Sequence, residues 1–141
     1  MERGVFTNGT YEPETLQFIS ENLSESDVLV CSGTAYGYHL LVGCEQVGEA
    51  GYVIGIDPQP GSSHRTFQNL VQNGYRGRFT LFNTALAGEE MFFPCSAPRR
   101  RNRGSSSLAA RKEAHYRDFF SYCTTFDRIM NEMEVSSVRM F

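Results

Sequence analysis

A length of 141 residues fits one folded domain, since single cores take about 100 to 200 residues, and leaves no room for two. Hydrophobic residues make up 40% and aromatics 13%, with eleven Phe and seven Tyr, which is enough apolar surface for a core and too much for a disordered chain. The formal charge of −3 hides an asymmetry: residues 1–98 hold four Arg against eleven acids, a balance of −7, whereas residues 99–141 hold nine basic residues against five acids, a balance of +4, so the acidic body is not expected to bind nucleic acid broadly.

Residues 1–10 include Glu2 and Arg3 but no apolar stretch of about 7 to 15 residues, and so do not read as a signal peptide. No later apolar run approaches the ~20 residues of a bilayer-crossing helix, and a cytoplasmic protein with no membrane partner is expected. Pro13, followed by Glu14, Leu16, Phe18, Ile19 and Leu23, has helical spacing, with the proline in the first turn where its missing N–H costs nothing. Residues 1–27 thus read as a helical lead-in. Val28, Leu29, Val30 and Cys31 form a short Val-rich run ending at Ser32-Gly33, which predicts a buried strand. Tyr38, Leu40, Leu41, Val42, Cys44 and Val47 then suit a helix packed on a sheet and closed by Gly48. A second strand, residues 52–56, stops at Asp57-Pro58. Ser62 or Ser63 is a candidate cap for a helix running through Phe67, Leu70 and Val71 to Asn73-Gly74. Residues 79–82 are predicted as a third strand and residues 91–93 as a short fourth.

Residues 28–94 therefore read as strand, helix, strand, helix, strand. That order implies right-handed crossovers in a mostly parallel sheet with flanking helices, an α/β fold of the Rossmann-like class. Residues 95–107 interrupt the pattern: Pro98, the run Arg99-Arg100-Arg101-Asn102-Arg103, Gly104 and three serines have the composition of a flexible loop. The basic run offers a local contact for an anionic partner, but it lacks interleaved aromatics and reads more simply as a solvated loop. Residues 108–141 begin a C-terminal half, with an extended segment at 119–123, Thr124 or Thr125 as cap of a helix through Phe126, Ile129 and Met133, and a strand starting at 138–141. All of this belongs to one domain, residues 1–141.

Cys31, Cys44, Cys95 and Cys123 form no C-x-x-C pair, and His39, His64 and His115 stand at no ligand spacing from one another or from a cysteine. Neither a zinc site nor a dithiol motif is expected, and no metal is predicted.

Open parallel sheets bind ligands outside the C-terminal ends of their strands, where short loops feed helix N-termini. Two such loops stand out. The first is Cys31-Ser32-Gly33-Thr34-Ala35-Tyr36-Gly37, whose glycines let a ligand approach the backbone. The second is Asp57-Pro58, about 20 residues further on, the distance at which an acid can hydrogen-bond ribose hydroxyls. Together they point to an adenosine-containing ligand, although glycines that only form turns and an aspartate that only caps one would look the same. Gly33 and Gly37 are too far apart for the dinucleotide G-x-G-x-x-G pattern, and no Walker lysine follows, Lys112 being the chain's single lysine.

Several segments in order resemble the FkbM-type S-adenosylmethionine-dependent methyltransferases. They are Tyr11-Glu12-Pro13-Glu14, Val28 through Tyr38, the run Val53-Ile54-Gly55-Ile56-Asp57-Pro58-Gln59-Pro60, Asn69 through Gly74, Asn83 through Gly88, and Thr124-Thr125-Phe126-Asp127. The resemblance implies a class I methyltransferase fold, S-adenosylmethionine as cofactor, and O-methylation of a small molecule or sugar. It places Gly33 and Gly37, with Thr34 and Ala35 between them, along the methionine part of the cofactor, Asp57 on the ribose hydroxyls and Asn83 near the adenine; Glu12 is within reach of the site from the first helix, but reads more simply as a solvated acid at a helix start. The family's loop reads D-x-G-A-N-x-G, and here Cys31 stands for its acid and Ala35 for its Asn. A neutral thiol cannot make a charge-assisted hydrogen bond to the cofactor ammonium, a loss of about 1.5 to 3 kcal/mol. The family pattern also continues past Val138 into further strands that complete the acceptor pocket, so the chain reads as a truncated member in which no catalytic base can be named. The other function class is an inactive, methyltransferase-like module that binds a partner.

Overall fold

The computed structural model describes residues 11–95 and 119–141. The arginine and serine stretch after Cys95, with Lys112 and His115, lies outside the described residues.

Helix α1 (Pro13–Asn22) starts at its proline, as predicted, and buries Ile19. Then come strand β1 (Val28–Ser32), helix α2 (Tyr38–Gln46), strand β2 (Tyr52–Ile56), helix α3 (Pro60–Gln72) and strand β3 (Phe79–Phe82). The three strands lie in the order β1-β2-β3 and pair in parallel throughout, which bears out the α/β, mostly parallel reading. Helix α3 differs from expectation at its start. Gln59, not Ser62 or Ser63, is its cap residue, and Pro60 opens the helix, because proline's fixed φ and missing N–H suit the first helical position.

Alternation along the strands builds two cores. Leu29 and Val53 project to one face, where Ile19, Leu23, Leu40, Cys44, Val47 and Leu70 from the α1, α2 and α3 side meet them. Val30, Ile54 and Ile56 project to the other face. There they meet Ile129 and Met130 of helix α4 (Phe126–Glu132), which Thr125 caps by accepting a hydrogen bond from Arg128 N–H at 3.1 Å. Helices thus cover both faces of the sheet, which is why β2 is apolar at nearly every position rather than at alternate ones. Two glycines set how closely α2 lies on the strands. A Cβ on Gly43 would collide with the Leu29 side chain, and one on Gly55 would sit 2.7 Å from Leu40.

The other edge of β1 is also paired: Arg139 N–H donates to Val28 O and Val30 N–H to Met140 O, a parallel bridge between Leu29 and Met140. The residues read as a strand beginning at 138 therefore lie beside β1, opposite β2. The chain runs from β1 outward to β3 and then returns to the far side of β1, so the strand order reverses there.

A second sheet has the order β4-β6-β5, made of strands β4 (Ala85–Leu86), β5 (Met91–Cys95) and β6 (Phe119–Thr124). The short strand expected at 91–93 is longer than predicted and runs antiparallel to β6, outside the parallel sheet. Among the described residues no helix is long and apolar enough to cross a membrane.

Candidate functional site

Strand register brings the expected residues into one row. Cys31 pairs with Gly55 and Ser32 with Ile56, so the ladder continues into Gly33 N–H donating to Ile56 O at 2.8 Å. Ile56 pairs with Phe82, and Asp57 N–H donates to Phe82 O at 3.0 Å. Gly33, Asp57 and Asn83 therefore stand side by side at the carboxyl ends of three adjacent strands.

The loop from β1 to α2 is built on left-handed backbone, with φ of +80° at Gly33, +49° at Ala35 and +80° at Gly37. It closes through Gly37 N–H to Thr34 O at 2.7 Å. Helix α3 braces it from behind: Thr66 Oγ1 donates to Ala35 O at 3.3 Å, and Asn69 Nδ2 donates to Tyr36 O at 2.8 Å. Gly37 is needed for contact as well as for conformation, since a Cβ there would sit 2.7 Å from Thr66 Cγ2. Gly33 is different. It is exposed, and a Cβ there would meet nothing within 4 Å.

Asp57 joins the two loops. Its Oδ2 accepts from Ala35 N–H at 2.9 Å and its Oδ1 from Gln59 N–H at 2.8 Å. The residue is only 7% exposed. Burial pushes its carboxyl above the ordinary 3.8, and the hydrogen bonds from Gln59 and Ala35 oppose that rise only in part. The Thr34 hydroxyl lies near enough to favour the charged carboxylate, yet its buried Oγ1 makes no hydrogen bond of acceptable geometry. The two backbone donors are thus the real anchors. A carboxylate has about four lone-pair positions, so Asp57 keeps acceptor capacity beyond them.

Asn83 lies beside Asp57, but its amide nitrogen serves the protein, donating to Asp57 O at 2.8 Å and to Ser63 Oγ at 3.2 Å. Ser63, which the sequence suggested as a helix cap, donates from its hydroxyl to the same Asp57 carbonyl at 3.1 Å. Cys31, at the end of β1, has its thiol pushed up to about 11, first by burial and then by the negative charges of Asp57 and Glu12. Glu12 thus reaches the same end of the sheet. Its Oε2 is 3.2 Å from His39 Nε2 in the first turn of α2. That is ion-pair distance, though Nε2 has no aligned hydrogen-bond acceptor.

Sequence reading missed Thr66, Asn69 and His39. The first two carry a signal in retrospect: with Ser62 they form a polar row at helical spacing, and Ser62 and Thr66 are buried where α3 should be apolar. Among the described residues, no group of three or more His, Cys, Asp or Glu side chains could hold a metal ion.

No protein-family model and no curated protein matches the chain. Solved structures similar to it include a Clostridium thermocellum protein assigned as an rRNA methylase, at 25% identity and TM-score 0.49 over 50% of this chain and 40% of that one. A Thermotoga maritima S-adenosylmethionine-dependent O-methyltransferase is 21% identical with TM-score 0.49, over 57% of this chain and 32% of that one. An Aquifex aeolicus S-adenosylmethionine-dependent methyltransferase is 22% identical with TM-score 0.46, over 62% and 44%. The chain spans less than half the length of each.

Proposed function

We propose that this chain binds S-adenosylmethionine and serves methyl transfer of the FkbM type, to an oxygen of a small molecule or sugar. The observation that carries the reading is the 2.9 Å hydrogen bond from Ala35 N–H to Asp57 Oδ2. It sets a carboxylate with spare acceptor capacity against a glycine loop, at the end of the sheet where open α/β folds bind ligands. Two further features fit such a cofactor. Gly33 faces open space with left-handed backbone, and the buried Thr34 hydroxyl beside it has no hydrogen-bond partner.

In this reading Asp57 accepts the ribose hydroxyls, and Gly33 lets the methionine portion lie against the backbone. Thr34 offers its hydroxyl, while Ala35 and Gly37 shape the loop. Asn83 secures the Asp57 turn and, from its exposed position, lies near the adenine. The bound cofactor supplies an electrophilic sulfonium methyl. For their part, the residues position it, since in-line transfer depends mainly on holding donor and acceptor in line.

Calorimetric titration of the purified chain with S-adenosylmethionine tests the proposal. Saturable binding that Asp57→Ala abolishes is expected, and no heat at millimolar ligand would refute it. The neutral Cys31 thiol favours a second reading, a non-catalytic binding module. That reading predicts cofactor binding without methyl transfer to any oxygen acceptor.

A further inference from the structure

Cys31 raises a question of charge. The cofactor proposed above carries an α-ammonium, and the loop that would face it has a neutral thiol where the resembling pattern has an acid. The described residues place another carboxylate at this end of the sheet. Glu12 comes just before α1, in left-handed backbone with φ +49° that its carbonyl helps to hold by accepting from Leu16 N–H at 3.1 Å. The side chain reaches across to α2, where its Oε2 lies 3.2 Å from His39 Nε2. The Tyr11 ring packs 6.2 Å from the His39 ring, and the neighbouring Glu12 carboxylate pushes the Tyr11 phenol above its usual range. Held between these neighbours, the Glu12 side chain is still 45% exposed, so a ligand can reach it. Its field is felt at Cys31 together with that of Asp57, so both carboxylates act on the end of β1.

We propose that Glu12 supplies the negative charge that holds the α-ammonium of S-adenosylmethionine, in place of the acid missing at position 31. The inference rests on the cofactor reading above. Glu12 is a binding residue, set beside His39 and Tyr11. The Glu12 carboxylate accepts from the ammonium while Asp57 accepts from the ribose, so one ligand spans the two acids with the Gly33 backbone between them.

Calorimetry on the whole chain with three ligands separates this inference from the reading beneath it. S-adenosylmethionine and S-adenosylhomocysteine carry the ammonium, whereas 5′-methylthioadenosine keeps the adenosine and lacks it. Glu12→Gln keeps shape and removes charge. It should weaken both ammonium-bearing ligands about ten- to hundredfold and leave methylthioadenosine unchanged. Glu12→Asp, which keeps the charge on a shorter arm, should lose less than Glu12→Gln, and thermal midpoints of both variants show that they fold. Equal binding of S-adenosylmethionine by wild type and Glu12→Gln overturns the inference and leaves the cofactor reading standing. So does equal loss of all three ligands, a loss confined to the sulfonium ligand, or Glu12→Asp losing as much as Glu12→Gln. Failure of the wild type to bind any of the three overturns the cofactor reading and the inference with it.

Discussion

Replacing Gly37 by alanine separates the two reasons for a glycine in the loop after β1. Gly37 has φ +80°, a region that costs a non-glycine residue about 1 to 2 kcal/mol. The new Cβ would also lie 2.7 Å from Thr66 Cγ2 and 3.2 Å from Thr66 Cβ and Oγ1. Thr66 cannot swing away cheaply, because it is fully buried and its hydroxyl donates to Ala35 O. Overpacking of this kind costs about 1 to 3 kcal/mol, so Gly37→Ala should lose about 2 to 5 kcal/mol in all. In a domain of this size that lowers the melting midpoint by roughly 10 °C. Gly33→Ala is the internal control, having the same φ but open space around its Cβ. It should lose only the conformational part, about 1 to 2 kcal/mol, and in the proposed site its methyl should also weaken cofactor binding. Urea unfolding of both variants and calorimetry with S-adenosylmethionine measure the two effects. Equal destabilisation by the two substitutions would refute the contact with Thr66 as the reason for Gly37.

Asp57 makes a prediction about pH. Its folded pKa is held above the ordinary 3.8 by burial. Folding therefore favours the neutral acid, and that stabilisation is present below 3.8 and lost as pH rises through the folded value. With Asp57 on the ribose as proposed, cofactor affinity should run the other way, declining as pH falls through the folded value because a neutral acid accepts less well from a diol. Titrations from neutral pH downward should show an inflection above 3.8 that Asp57→Asn lacks, and a decline that begins only below 3.8 would contradict the burial argument. The thiols of Cys31 and Cys44 are both pushed up to about 11, chiefly by burial. Both should resist a thiol-specific reagent at neutral pH in the folded protein and react once it is denatured. Modification of Cys31 at the rate of a free thiol would show that the end of β1 is more open than described.

Local chemistry made most of the elements legible in the chain itself. Pro13 marks the start of α1, the short Val- and Ile-rich runs mark β1 and β2, and of the two threonines able to cap α4 it is Thr125 that does so. Each signal acts within a few residues and depends on nothing distant. Errors arose where two local signals competed. Ser62 and Ser63 resemble caps, but Pro60 opens the helix earlier, which frees Ser63 to bind the Asp57 carbonyl and buries Ser62.

The candidate site was legible in kind but not in its connections. A glycine loop, an aspartate at a strand end and an asparagine after the next strand could be named from order and spacing. That Gly33, Asp57 and Asn83 share one row follows only from the parallel register of β1, β2 and β3, which depends on how whole strands pair. Sheet membership was equally hidden, since β5 looks like one more strand of the series yet runs antiparallel to β6 in another sheet. The chain's own sequence determined where strands and helices form and which residues end them, because propensity, capping and turn chemistry are short-range. Only the tertiary structure decided that Asp57 binds Ala35 N–H, that Thr66 and Asn69 brace the loop, and that Glu12 meets His39. Those contacts join residues far apart in sequence, and only the burial of the two sheet faces beneath the helices brings them together.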